Sequence, residues 1–248
     1  MVVNDYKLLP AGDTALSVEF GDRIDRQLSG LVLGLARSLN EAAISGVIEC
    51  VPTFRSLMIY YDPLLLPYKV LSARIAALIQ GLHATETAGR IWRLPACYDE
   101  SVAPDLADVA ARTNLKQVDV VERHSTATYH VYMLGFLPGQ PYMGDVANEL
   151  ALPRRQSPRI KIPAGSLAIA MTMTCIFPSE TPCGWHLIGR CPVPLWDMGR
   201  GASTPLLRPG DKVGFEPVSL REYEILLAKA ADGQLAIAPV DELRDAAA

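Results

Sequence analysis

Three arginines, Arg154, Arg155 and Arg159, fall inside one proline-punctuated stretch, LPRRQSPRIKIPAGS, with Pro153, Pro158 and Pro163 set among them. Proline fixes φ and removes a donor, and glycine reaches backbone angles closed to other residues, so a segment rich in both holds loops that helices and strands cannot provide. Guanidinium groups spaced by such a backbone suit the grip of a carboxylate or another anion. A stiff loop also loses less entropy when a ligand is held. A solvated charge pair is the ordinary alternative for Arg154 and Arg155, and Arg190, in LIGRCP, is a fourth candidate.

Histidines and cysteines offer a second kind of chemistry. His124, in ERHS, titrates in the range of a general base near the rim of a second domain; a helix C-terminal histidine favoured by the dipole is the alternative. His186 sits between Trp185 and Leu187 and divides between a base and a strand residue facing solvent, while His130 alternates with Tyr129 and Val131 as a sheet residue does. Cys183 has His186 nearby as a base, but no oxyanion-hole or third-residue pattern accompanies the pair. Ser166, in PAGS, reads either as a hydroxyl donor or as the punctuation of a turn. No P-loop and no GxGxxG follows a strand, so ATP, if it matters, is bound by a partner. AMTM at 170–173 resembles the biotin-acceptor tetrapeptide with Thr172 in the place of its lysine, and it reads instead as a barrel strand.

The chain that must position these groups has 248 residues, 50% of them hydrophobic and 20% charged, enough for one large domain or two ordinary ones. A net charge of −4 argues against a nucleic-acid surface. No apolar run reaches membrane-spanning length and the N-terminus lacks the character of a signal peptide, so the cytoplasm is the expected compartment. Five cysteines with no CxxC pair predict free thiols, with neither a disulfide framework nor a metal site.

Periodicity divides the chain in two. Residues 15–20 alternate as a half-buried strand, Asp25 caps a helical pattern through Leu39, 47–51 and 56–61 read as strands, and a helix carries Val70, Leu71, Ile75, Leu78 and Ile79. The polar stretch 83–90 reads as a linker or crossover, which places an α+β domain at 1–88 and a second domain at 89–248. There, RIWRLPACY reads as a strand, 105–115 and 117–125 as helices, 128–134 as a strand, and the glycine- and proline-rich remainder as short strands of a compact barrel or sandwich. Ser219 and Glu222 form a capping box for a closing helix that ends before Gly233, and the alanine tail is expected to fray.

GFLPGQPYMG, LPRRQSPRIKIPAGS and PCGWHLIGR, together with GDTALSVEFGDRID, VPTFRSLMIYYDP and LLRPGDKVGFEPV, resemble in order the signatures of the family of 5-oxoprolinase B subunits, also called the KipI or allophanate hydrolase subunit 1 family. The resemblance implies an α+β fold: a small N-terminal α/β sandwich of ferredoxin-like type, then a cyclophilin-like β-barrel domain. It implies one component, inactive alone, of an ATP-dependent hydrolase opening 5-oxoproline or a related cyclic amide. The partners so implied are a homologous C subunit, of the allophanate hydrolase subunit 2 type, and a further A subunit, with ATP bound through the complex. The alternatives it carries are a KipI-like module that binds a histidine kinase and the carboxyltransferase part of a urea carboxylase. Combined with the reading of the residues, it gives His124 and Arg155 as catalytic, and Arg154, Arg159, Pro163, Gly165, Ser166, Thr174, Trp185 and His186 as substrate-binding. Against the family signatures, Gln140 replaces a phenylalanine, Met171, Cys175 and Cys183 replace glycines, Met173 replaces a glutamine and Phe177 a tyrosine, which makes a polar pocket wall more apolar.

Overall fold

The computed structural model describes residues 5–82 and 89–240. Most of the stretch read as a linker, residues 83–88, and the alanine tail at 246–248 lie outside the described residues. The chain divides into two compact units, Met1–Ala88 and Gly89–Ala248.

In the first unit β1 (Lys7–Pro10), β2 (Ala15–Glu19), β3 (Val47–Pro52) and β4 (Ser56–Tyr61) form an antiparallel sheet in the order β1-β2-β4-β3. Helix α1 (Arg26–Ala42) connects β2 to β3, and β4 lies between those two strands; α2 (Tyr68–Gln80) follows β4. Asp25 starts α1 because its carboxylate accepts from the Gln27 and Leu28 amides, two of the donors a helix start leaves unpaired. Leu31, Val32, Leu35 and Leu39 recur at helical spacing and are buried with Leu16, Val18, Leu57 and Ile59, the inward positions of a period-two pattern. The alternation in the sequence and the core thus coincide.

The second unit is a closed barrel. Its strands are β5 (Ile91–Cys97), β6 (Thr128–Leu134), β7 (Pro141–Gly144), β8 (Arg159–Ile162), β9 (Ser166–Ala170), β10 (Met173–Ile176), β11 (Thr181–Cys183), β12 (His186–Arg190) and β13 (Lys212–Val218). Seven close the ring in the order β10-β7-β6-β13-β5-β12-β9, and β8 pairs with β11 as a separate ribbon. Closure removes exposed edges and leaves the alternate residues Leu94, Val131, Leu167, Ile169, Ile188, Val213 and Phe215 in one apolar core. Helices α3 (Leu106–Thr113) and α4 (Gln117–Thr126) pack against β12 and β13, and α5 (Leu220–Ala231) against β5. Ser219 and Glu222 form the expected capping box. Ala170–Met173 is not one strand: Ala170 ends β9, Met173 opens β10, and Met171, at φ +53°, lies in the turn between them. An isolated bridge from Leu152 to Met171 holds that turn. No helix among the described residues is long and apolar enough to cross a membrane, and all five cysteines are free thiols.

Candidate functional site

Asp105 organises the arginine loop. It stands at the start of α3, where an aspartate ordinarily caps its own helix, but its side chain makes no cap bond. The carboxylate instead accepts from Arg155 Nη1 (2.8 Å), Arg159 Nη1 (2.8 Å), Arg159 Nη2 (2.7 Å) and the Leu187 amide (2.7 Å). The Asp105 amide in turn donates to the Leu187 carbonyl at 3.0 Å, so α3 and β12 are clamped in both directions. Burial alone would raise the pKa of Asp105, but the Arg159 hydrogen bonds, the Leu187 amide and the two arginine charges outweigh it and hold the carboxyl below its usual range.

Two further bonds fix the loop. The Arg155 amide donates to the Gly184 carbonyl at 2.8 Å, and the His186 ring lies 3.0 Å from the Pro153 carbonyl through Nε2. A carbonyl only accepts, so Nε2 carries the proton. His186 is fully buried, with Nδ1 3.9 Å from the Asp108 carboxylate. It anchors the loop and makes no hydrogen bond to Cys183, whose thiol receives the Trp185 amide at 3.2 Å and is pushed up in pKa chiefly by burial. The cysteine–histidine dyad is therefore not assembled, and His186 faces inward rather than toward solvent.

Arg155 and Arg159 are thus both tied to Asp105, one carboxylate shared by two guanidinium groups, a correction to the expectation that both are free to grip a ligand. Arg154, between the fixed points, makes no ion pair among the described residues and places its guanidinium 5.9 Å from the centre of the Trp185 ring. It borders two hollows. One is a cleft of about 200 Å³ lined by Gln140, Tyr142, Phe177, Cys183 and Trp185, with Phe136 also on its wall. The other is an open groove of about 610 Å³ lined by Asp108, Arg112, Pro153 and Arg155 among others. In the cleft, Tyr142 and Phe177 meet Trp185 edge to face, at 6.0 and 6.5 Å. Phe136 holds φ +70° while 68% exposed, an unfavourable conformation for a bulky side chain that keeps an aromatic group on the cleft wall.

His124 is placed in the barrel core and not at its rim. It is fully buried, stacks on Phe215 at 5.0 Å, and has both ring nitrogens engaged, Nδ1 with Tyr98 Oη at 2.8 Å and Nε2 with Thr174 Oγ1 at 2.9 Å. Thr174 donates to the Ala168 carbonyl at 3.2 Å, so it accepts from His124 Nε2–H, which leaves Nδ1 to accept from Tyr98. Burial lowers the His124 pKa to about 3, so the ring is neutral. Thr174, also fully buried, is a member of this chain of bonds rather than a cleft residue.

Pro163, Gly165 and Ser166 form the turn from β8 to β9 and line neither hollow. Ser166 spends its hydroxyl on the Pro163 carbonyl at 2.7 Å. Gly165 has φ +78°, and an added Cβ would stand 2.4 Å from the Cys191 carbonyl oxygen. Gly165→Ala is therefore expected to cost about 2 kcal/mol of unfolding free energy, read as a lower urea midpoint; an unchanged midpoint would contradict this account of the turn. Arg190 donates to the Ala164 carbonyl and stacks over Tyr223, also outside both hollows. Asp105 and Tyr142 are site residues that the sequence reading did not select, whereas Phe177, read there as part of a more apolar pocket wall, does line the cleft. Asp105 gave only a helix-start signal, and its partners lie 50 and 54 residues away.

The chain is similar to known proteins. The B subunit of 5-oxoprolinase from Bacillus subtilis (strain 168) is 37% identical over 230 residues, 88% of this chain and 95% of that protein. The crystal structure of TTHA0988 is similar at a TM-score of 0.73 and 34% identity over 82% of this chain, which spans 40% of the TTHA0988 chain. The K. lactis urea amidolyase structure, at TM-score 0.79 and 22% identity over 96% of this chain and 16% of that one, shares the fold. Residues 6–206 match the family model described as carboxyltransferase domain, subdomain C and D. On that match and on its identity with the 5-oxoprolinase B subunit, the chain belongs to this carboxyltransferase-domain family.

Proposed function

We propose that the chain is the ring- and carboxylate-binding component of an ATP-dependent cyclic-amide hydrolase of the 5-oxoprolinase kind, completed by a homologous C subunit and by an A subunit. The observation that carries this reading is Arg154. Among the described residues it is the guanidinium of its loop left without a carboxylate, stacked on Trp185 at the mouth of a small aromatic cleft. Such a cleft accepts a flat five-membered ring on its aromatic wall, and the guanidinium takes the ring's carboxylate by a charge-assisted bond. Arg155 and Arg159, held by Asp105, keep the loop in place and contribute the positive field of the groove. ATP, for which the sequence offers no cradle, is assigned to a partner protein. The N-terminal unit, with β4 inserted between β2 and β3, is read as a ferredoxin-type sandwich in which β1 takes the remaining edge position.

The test is coexpression with homologues of the C and A subunits and measurement of ATP-dependent glutamate release from 5-oxoproline. Arg154→Ala is expected to lower kcat/KM about 10- to 100-fold, as for loss of one hydrogen bond to a charged group, and to lower the stability by no more than about 1 kcal/mol, because it breaks no ion pair and removes only an exposed cation–π contact. Wild-type turnover in an Arg154→Ala complex would overturn the assignment. The family description favours a second reading, in which the cleft serves carboxyl transfer; turnover of carboxybiotin with urea, and none of 5-oxoproline, would select it.

A further inference from the structure

Gln140 is the most recessed polar side chain of the cleft, 1% exposed yet on the wall beside Tyr142, Cys183 and Trp185. Its backbone is fully used: the amide donates to the Leu137 carbonyl and the carbonyl accepts from the Gly135 amide, both at 3.1 Å, closing the turn that carries Phe136. Its side chain is only half used. The carboxamide faces the Cys175 thiol on one side, where it partly offsets the rise that burial gives the thiol pKa, while Oε1 is buried with no hydrogen-bond partner. An acceptor removed from water and left unpaired is a net cost to the fold, and leucine or methionine would fill nearly the same volume without it. A polar group kept at such a place on a cleft wall is explained by a donor that arrives with the ligand.

We propose that Gln140 determines specificity: its Oε1 accepts a hydrogen bond from the N–H of a ligand whose carboxylate is held by Arg154. The cleft then selects a lactam over a lactone of the same shape. This rests on the reading of the cleft as a cyclic-amide site. The last torsion of a glutamine is broad, so a small swing of the amide toward the cavity is inexpensive. In a lactone the N–H is replaced by a ring oxygen, which turns lone pairs toward Oε1 and leaves both unpaired. Sites built to hydrogen-bond a substrate group reject the analogue that lacks it far more strongly than apolar pockets reject a change of size.

Calorimetric titration of the full chain, alone and with its coexpressed partners, distinguishes the possibilities, with 5-oxoproline and 5-oxotetrahydrofuran-2-carboxylate as probes. Wild type is expected to bind the lactam at least about tenfold more tightly than the lactone. Gln140→Leu and Gln140→Met should bring the two affinities together by weakening the lactam, with an equal or higher melting temperature, since each removes an unpaired buried oxygen. Arg154→Ala should weaken both probes alike. A lactam preference that survives in Gln140→Leu and Gln140→Met overturns the proposal, as does a large fall in their melting temperature, which would mark Gln140 as structural. Equal binding of both probes, lost in Arg154→Ala, overturns it while the cyclic-amide reading stands. Binding of neither probe to any form removes that reading and this proposal together.

Discussion

Asp105→Asn is expected to lower the stability of the barrel unit by about 3 kcal/mol, the low end of the range for breaking a buried ion pair from one side. The low end applies because the Arg155 and Arg159 side chains are 27% exposed and regain some hydration. What is lost is still large. Asparagine keeps the shape but brings an NH2 against two guanidinium groups, which are then adjacent like charges with no counter-charge. All three tryptophans, Trp92, Trp185 and Trp196, belong to this unit, so fluorescence-detected urea unfolding reports on it directly. The pH dependence has a definite sign. The folded carboxyl titrates below its unfolded value, so the stabilisation is complete above the ordinary carboxylate pKa of about 4 and is lost as pH falls through the folded value. Wild type and variant should therefore differ fully at pH 7 and converge only in strong acid. Equal urea midpoints at pH 7 would show that the clamp contributes nothing.

Much of the framework is legible in the sequence because its determinants are local. Asp25 before α1 and Ser219 with Glu222 before α5 pair helix amides a few residues away, and the alternation in β2 and β4 needs only neighbouring residues. The ordered proline, glycine and arginine signatures likewise lead to the right family. What stays illegible depends on distant partners. Three arginines in one loop look equivalent in sequence, and only the fold reveals that Asp105 takes two and leaves Arg154. Ala170–Met173 reads as a strand by residue type, but the bridge to Leu152 holds Met171 in a left-handed turn that its own preferences oppose. His124 does carry a usable local signal. It follows Val120 by four residues, on the same helical face, and both are fully buried. The buried stripe of α4 thus outweighs the helix-end position as a guide to where the imidazole lies.

Acidification should expose that burial. An imidazole that titrates near 6.5 when unfolded and at about 3 in the barrel binds its proton more readily in the unfolded chain throughout the interval between. Stability therefore rises with pH across this window, and the His124 contribution, complete above about 6.5, declines as pH falls toward 3. Between pH 6.5 and 4.5 the loss is expected to be about 2–3 kcal/mol, at 1.36 kcal/mol per unit. Protonation places a hydrogen on Nδ1, where Tyr98 already donates, and a charge among Tyr129, Phe215 and the barrel core. His124→Gln offers one donor and one acceptor without titrating. It should be less stable than wild type at pH 7.5 but have a flatter acid profile, so the gap between the two narrows as pH is lowered to 4.5. The comparison cancels His130 and His186, common to both proteins, and stays above the range in which Asp105 titrates. Parallel profiles would place the acid-sensitive group elsewhere; convergence would identify His124 as a neutral strut that joins α4 to β10 and holds Thr174 against Ala168.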